Sequence, residues 1–324
     1  MQPGQNEVLN RIIQWAERRQ DVRALVLTSN RTVPGATVDR FSDYDVIVAV
    51  SDEPGIAPFF ESRDWLEAFG HVLVLYRDPI MPWFDGGSAL AGEEQQARQN
   101  GLNFDGGIAG TKNFINKKFA YVTQFEEDSL KIDITLIPAS LLRRIAQSPL
   151  NDDLDLGYRI LLDKDGLTAG MAAPTHRAYI PNPPGEAEYL ETIELFFHEC
   201  TYLAKYLWRD DLMPAKIQLD NAMKADLLRK MLEWKAEVDA GWTLRLKDHG
   251  RGLKKILPPD LWAELEDTYV GAATSENWDA MWLTISLFAK VARQVGDALG
   301  YAYPEEMHQR CEKYFRWVQD LSSG

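Results

Sequence analysis

The chain has 324 residues, 45% hydrophobic and 26% charged, with a formal net charge of −14. That length allows two domains with cores of their own, and so acidic a protein repels nucleic acid and attracts cationic partners. Two distant cysteines, Cys200 and Cys311, make neither a disulfide framework nor a zinc site.

Met1 to Asn10 is polar and lacks an apolar signal-peptide core. No uncharged apolar run reaches membrane-spanning length. The expectation is therefore a cytoplasmic protein with no membrane partner. Asn6 to Arg19 carries Val8, Ile12, Ile13, Trp15 and Ala16 at helical spacing and predicts an amphipathic helix. Val22 to Thr28 reads as the first core strand, and Ser29 to Arg40 as a loop with Pro34-Gly35 as its turn signal. Tyr44 to Val50 is the second strand, Pro58 to Phe69 a short helix, and His71 to Tyr76 a third strand. Asp78 to Lys118 is glycine-rich with few periodic apolar positions, and its residues 85–118 read as an insertion. Loops of this length are usually functional or disordered. Phe119–Phe125 and Leu130–Pro138 predict a hairpin around Glu126-Glu127-Asp128, followed by a helix over Ala139–Gln147 and a last strand over Tyr158–Asp163.

The proline-rich stretch Pro174 to Pro184 reads as a linker. Beyond it the pattern is helical, near Glu186–Arg209, Ala215–Ala240, Pro259–Val270, Glu276–Leu299 and Glu305–Leu321. Long amphipathic helices with short links predict an up-and-down bundle. The expected division is a catalytic domain over 1–170, a linker over 171–185 and a helical substrate-binding domain over 186–324. On the first helix of that domain, Ile193, Phe196, Phe197, Cys200, Leu203, Ala204 and Leu207 form one arc. Glu191, Glu194, His198, Thr201, Tyr202, Lys205 and Arg209 form the opposite arc. Lys224, Asp226 and Lys235 read as surface charges, Trp234 as core, and His71, His176, His249 and His308 as structural or surface residues.

The chemistry concentrates in Phe41-Ser42-Asp43-Tyr44-Asp45, at the mouth of the second strand. Side chains i and i+2 of a strand share a face, so Asp43 and Asp45 stand roughly 7 Å apart. Carboxylates so placed repel one another unless a cation lies between them, and an oxygen-only donor set suits Mg²⁺. Asp133 interrupts the apolar run Leu130–Pro138, where a charge needs a partner. If that strand adjoins the second one, the three aspartates make a two-metal phosphoryl-transfer site.

These segments resemble the nucleotidyltransferase fold, and nearly the whole chain resembles the aminoglycoside 6-adenylyltransferases (streptomycin adenylyltransferases). The resemblance is carried by Asp43-Tyr44-Asp45, Asp64 to Gly70, Lys131 to Pro138, Leu162-Asp163-Lys164-Asp165 and Ala204 to Arg209. Glu233-Trp234-Lys235, Glu276 to Ala280 and Tyr301 to Glu306 extend it. It implies an α+β protein, a mixed β-sheet nucleotidyltransferase domain followed by a helical bundle. It further implies ATP as co-substrate, two Mg²⁺ ions on Asp43, Asp45 and Asp133, and a cationic aminoglycoside as acceptor. In that family the helix over Glu186–Arg209 lines the cleft, and Lys205 is expected at the ATP phosphates. Ser29, Asn30 and Arg31 would help hold the polyphosphate, arginine being suited to bidentate phosphate contacts. Glu191, Glu194 and His198 are candidates for holding the substrate. The expected state is a monomer or homodimer.

The chain departs from the family at two places. Relatives usually carry Gly-Ser where this chain has Ser29-Asn30, and glycine there permits positive φ and close backbone approach. Relatives often carry Glu-Phe-Trp where this chain has Leu195-Phe196-Phe197. The first departure motivates an alternative, a nucleotide- or ligand-binding homologue without catalysis. Retention of all three aspartates argues against it. A nucleotidyltransferase with a different acceptor is the other alternative, and the net charge disfavours RNA in that role.

Overall fold

The computed structural model describes residues 3–36, 38–78, 117–125, 128–246 and 248–321. The expected insertion and the hairpin tip at Glu126-Glu127 lie outside them, apart from the strand residues Lys117 and Lys118. The chain divides into two compact units, Met1–Ala178 and Tyr179–Gly324. Among the described residues no helix is long and apolar enough to cross a membrane.

The first unit is built on a mixed sheet of β1 (Val22–Thr28), β2 (Tyr44–Val50), β3 (His71–Asp78), β4 (Lys117–Phe125), β5 (Asp128–Pro138) and β6 (Tyr158–Asp163), ordered β3-β4-β5-β2-β1-β6. Among the described residues, only the β2–β5 pairing is parallel. β1 and β2 read as nearly unbroken apolar runs because both faces of the sheet are covered. On one face, α1 (Pro3–Glu17) and a 3₁₀ turn over Asp64–Phe69 bury Ile12, Trp15, Trp65 and Phe69 against Leu25, Leu27, Val46 and Val48. The Trp15 and Phe69 rings meet edge to face, 5.1 Å apart. α2 (Pro58–Glu61) precedes that turn, so the single helix expected over Pro58–Phe69 is two pieces, parted at Ser62, whose backbone is extended. On the other face, α3 (Ala139–Ala146) and α4 (Asp152–Leu156) cover Ala24, Val26, Ile47, Ala49 and Ile137. α4 was not expected; Asn151 starts it by accepting a hydrogen bond from Leu154 N.

The second unit contains α5 (Glu186–Trp208), then α6 (Leu212–Lys216) running through a π-helical stretch, Ile217–Leu228, into α7 (Arg229–Ala240). α8 (Leu253–Ile256), α9 (Pro259–Asp267), α10 (Thr274–Leu299) and α11 (Glu305–Asp320) follow. Glu186 and Glu188 sit in the first turn of α5, where the helix dipole favours negative charge. Its apolar arc is buried as the spacing predicts, and Phe196 stacks on Phe288 of α10 at 3.7 Å. Burying each such phenylalanine contributes roughly 2–3 kcal/mol. Gly300, at φ +80°, ends α10 in the left-handed conformation that glycine adopts without a Cβ penalty.

One sequence expectation fails here. Lys224 is not a surface charge: its side chain is wholly buried. Nζ lies 2.9 Å from Asp220 Oδ1 and 2.5 Å from the Thr268 carbonyl, and faces the Tyr269 ring at 4.3 Å. Burial pulls its pKa down, and Asp220 opposes the shift. Cys200 is the core thiol expected, and burial pushes its pKa well up.

Candidate active site

The parallel pairing of β2 with β5 builds the site. Its register sets Tyr44 opposite Ile132 and Asp45 opposite Asp133. Neighbouring strands lie about 4.8 Å apart, so Asp45 and Asp133 project side by side from one face. By strand alternation that is the face carrying Ile47, Ala49 and Ile137 deeper in the sheet. Asp43 stands one residue ahead of β2 rather than within it, and Lys131 stands two residues before Asp133 on β5. Four charged side chains thus form a square: Asp43 beside Lys131, and Asp45 beside Asp133.

Lys131 ties two of the aspartates together. Its Nζ lies 2.8 Å from Asp43 Oδ2 and 3.0 Å from Asp133 Oδ2. Burial lowers the Lys131 pKa, but the Asp43 and Asp133 carboxylates together lift it above its ordinary value. Exposure differs sharply across the group, with side-chain values of 36% for Asp43, 38% for Lys131 and 7% for Asp133. Asp133 Oδ1 is sealed from solvent. Among the described residues no three His, Cys, Asp or Glu side chains are gathered as a ready-formed metal cage. The donors nonetheless fit a hard divalent ion, being all oxygen, and two of the carboxylates already converge on a cation, the Lys131 ammonium. Lys131 is the residue that sequence reasoning missed. The available signal was a lysine at i−2 from an aspartate in a buried strand, which places both on one face.

The loop after β1 lies beside this square. A 3₁₀ turn spans Ser29–Thr32, closed by Thr32 Oγ1 donating to the Ser29 carbonyl at 2.7 Å. Ser29 has φ +67°, a left-handed conformation that costs a non-glycine residue about 1–2 kcal/mol. Glycine would adopt this backbone shape without that cost. Arg31 reaches across to the second strand. Its Nε donates to the Asp43 carbonyl at 2.8 Å and its Nη2 to the Ser42 carbonyl at 2.5 Å, and its guanidinium stacks 3.6 Å over the Tyr44 ring. Burial lowers the Arg31 pKa, opposed by Tyr44 and Asp43. Arg31 therefore clamps the first loop to the aspartate segment. Gly157, between α4 and β6, approaches from below: a Cβ built there would lie 2.7 Å from Thr32 Oγ1.

The remaining sequence candidates belong to the second unit. Glu191, Glu194, His198 and Tyr202 are exposed along one face of α5, and Lys205 is partly buried at its end. The His198 and Tyr202 rings meet edge to face at 5.2 Å, and Lys205 Nζ lies 4.4 Å from the Tyr202 ring. The face thus presents two carboxylates, an imidazole, a phenol and an ammonium in line.

A model of the family described as streptomycin adenylyltransferase matches residues 3–318. The aminoglycoside 6-adenylyltransferase of Bacillus subtilis (strain 168) is 26% identical over 301 residues, covering 93% of this chain and 93% of that protein. That of Campylobacter jejuni is 25% identical over 300 residues, covering 93% and 91% respectively. A crystal structure of an aminoglycoside 6-adenyltransferase from Bacillus subtilis aligns with a TM-score of 0.44 at 21% identity, covering 97% of this chain and 98% of that one.

Proposed function

The chain belongs to the streptomycin adenylyltransferase family, and from that premise we propose that it transfers AMP from ATP to a hydroxyl of a streptomycin-like aminoglycoside with the help of Mg²⁺. Family membership makes it an adenylyltransferase. The observation that carries the finer reading is the β2–β5 register, which sets Asp45 beside Asp133 with Asp43 at the same strand end. Such transfer would modify the antibiotic and confer resistance.

In the proposed reaction the acceptor oxygen attacks the α-phosphorus of ATP. An acceptor O–P bond forms, the bond from that phosphorus to the β-phosphoryl oxygen breaks, and pyrophosphate leaves. A carboxylate of the site accepts the hydroxyl proton. Asp43 and Asp45 are the assigned ligands of the divalent ion. When bound, the ion supplies charge stabilisation at the α-phosphate and the leaving pyrophosphate. The Ser29–Arg31 turn offers backbone and side-chain donors to the polyphosphate, while Arg31 keeps the turn against the aspartates. Lys205 is assigned to the phosphates. Glu191 and Glu194 are assigned to the cationic acceptor, where carboxylates attract its ammonium groups, and His198 is assigned to its hydroxyls.

Mass spectrometry of streptomycin after incubation with the protein, ATP and Mg²⁺ tests the reading. An AMP adduct with the natural protein and none with Asp45→Asn is expected. A fully active Asp45→Asn protein refutes the aspartate assignment. A second reading, a ligand-binding homologue without catalysis, draws on Arg31, which spends two donors on the Ser42 and Asp43 carbonyls. It predicts ATP binding by calorimetry with no adduct under any acceptor.

A further inference from the structure

We propose that Lys131 serves as the resident cation of the Asp43–Asp133 half of the site, so that the protein works with one divalent ion, recruited at Asp43 and Asp45, and with the lysine ammonium in place of a second. The proposal rests on the divalent-ion reading above and narrows it. Three structural observations carry it. First, Lys131 Nζ lies within hydrogen-bond distance of both carboxylates that a cation between them would claim, at 2.8 Å from Asp43 and 3.0 Å from Asp133. Second, Asp133 has one usable oxygen. Its Oδ1 is sealed from solvent, and its Oδ2 is the atom that Lys131 holds. A metal ion on Asp133 would have to share Oδ2 with an ammonium group, bringing two cations into close contact. Third, the ammonium is positioned by the strand itself. Lys131 precedes Asp133 by two residues on β5, and the β2–β5 register carries it to the side of Asp43.

Removing the lysine ammonium frees Asp133 Oδ2 and leaves Asp43 and Asp133 without the cation that bridges them. Asp43 remains able to serve both cations, since Lys131 engages its Oδ2 and leaves Oδ1. Lys131 is in these terms a positioning residue. It holds Asp43 and Asp133 at fixed separation and keeps their mutual repulsion balanced when no nucleotide is present.

The test counts ions without reference to turnover. Crystals of the full chain are soaked with Mn²⁺ and the non-transferable analogue α,β-methylene-ATP, and anomalous diffraction locates manganese. One peak is expected in the natural protein, beside Asp43 and Asp45. Lys131→Met is expected to gain a second, between Asp43 and Asp133, while Lys131→Arg keeps one. Two peaks in the natural protein overturn the proposal, as does a single peak in Lys131→Met. No manganese in the natural protein overturns the divalent-ion reading along with it, and so marks the two failures apart. Thermal melting in chelator gives the companion readout. Lys131→Met is expected to melt below the natural protein and to recover more on adding Mn²⁺, with Lys131→Gln used if the methionine variant does not fold. Equal melting of both variants and the natural protein in chelator overturns the counter-cation role.

Discussion

Gly157→Ala perturbs the proposed phosphate turn without touching a residue assigned to chemistry. A Cβ built on Gly157 would lie 2.7 Å from Thr32 Oγ1, 3.1 Å from the Thr32 carbonyl oxygen and 3.2 Å from its carbon. Two of those atoms are backbone, so the turn itself must move. Gly157 also has φ +158°, which adds strain for any residue with a Cβ. Overpacking of this kind costs about 1–3 kcal/mol. At about 2–4 °C per kcal/mol for a unit of this size, the melting temperature of the first unit should fall by roughly 2–12 °C. The displaced turn carries Ser29 and Arg31 with it, so KM for ATP should rise more than KM for the acceptor. Thr32→Ala supplies the control. It removes the nearest atom and also the hydrogen bond from Thr32 to Ser29, worth about 1 kcal/mol. The double variant should therefore cost less than the sum of the two singles by about 1 kcal/mol in urea unfolding. A Gly157→Ala protein of natural stability, or strict additivity with Thr32→Ala, would refute the close approach of Gly157 to the turn.

Other residues give independent tests. Ser29→Gly with Asn30→Ser installs the Gly-Ser pair that the resemblance implies. It removes the left-handed cost at φ +67° and should lower KM for ATP; a raised KM would contradict the phosphate role of this turn. Lys224→Ala leaves Asp220 and the Thr268 carbonyl without their buried ammonium, and should destabilise the second unit by about 3 kcal/mol in denaturant unfolding, at the low end for a broken buried pair because Lys216 still pairs with Asp220. Glu237 is fully buried on α7, and burial raises its pKa above the ordinary 4.5. The folded state therefore holds this proton more tightly than the unfolded state does. Glu237 favours folding when protonated, and that contribution is lost as pH rises from 4.5 through the raised folded value. Glu237→Gln mimics the protonated form, so its stability relative to the natural protein should improve over that rise; a pH-independent difference would contradict the assignment.

Much of this architecture was legible from residue patterns. The apolar runs Val22–Thr28 and Tyr44–Val50 declared buried strands, and the 3.6-residue spacing from Ile193 to Leu207 declared the buried face of α5. The parallel pairing of β2 with β5 was not legible by itself, because 88 positions part Asp43 from Lys131 and no local rule fixes such a register. Asp133 pointed to it only as a charge that needed a partner. Lys131 went unrecognised as a site residue for the same reason, since its meaning depends on the strand beside it. Lys224 misled because a lysine in a helical pattern usually reaches solvent. Its partners are Asp220, one turn away, and the carbonyl of Thr268, 44 positions further on. The break at Ser62 and the short α4 were missed because segments of four to five residues carry too little periodicity to register.

The most direct test of the central claim follows the phosphorus atoms of ATP. The protein is incubated with streptomycin, Mg²⁺ and ATP labelled at either the α- or the γ-phosphorus, and the products are separated. The account predicts α-label in the modified aminoglycoside, γ-label in pyrophosphate, and neither product with Asp133→Asn. Label from the γ-phosphorus in the aminoglycoside, or α-label transfer undiminished in Asp133→Asn, would contradict it.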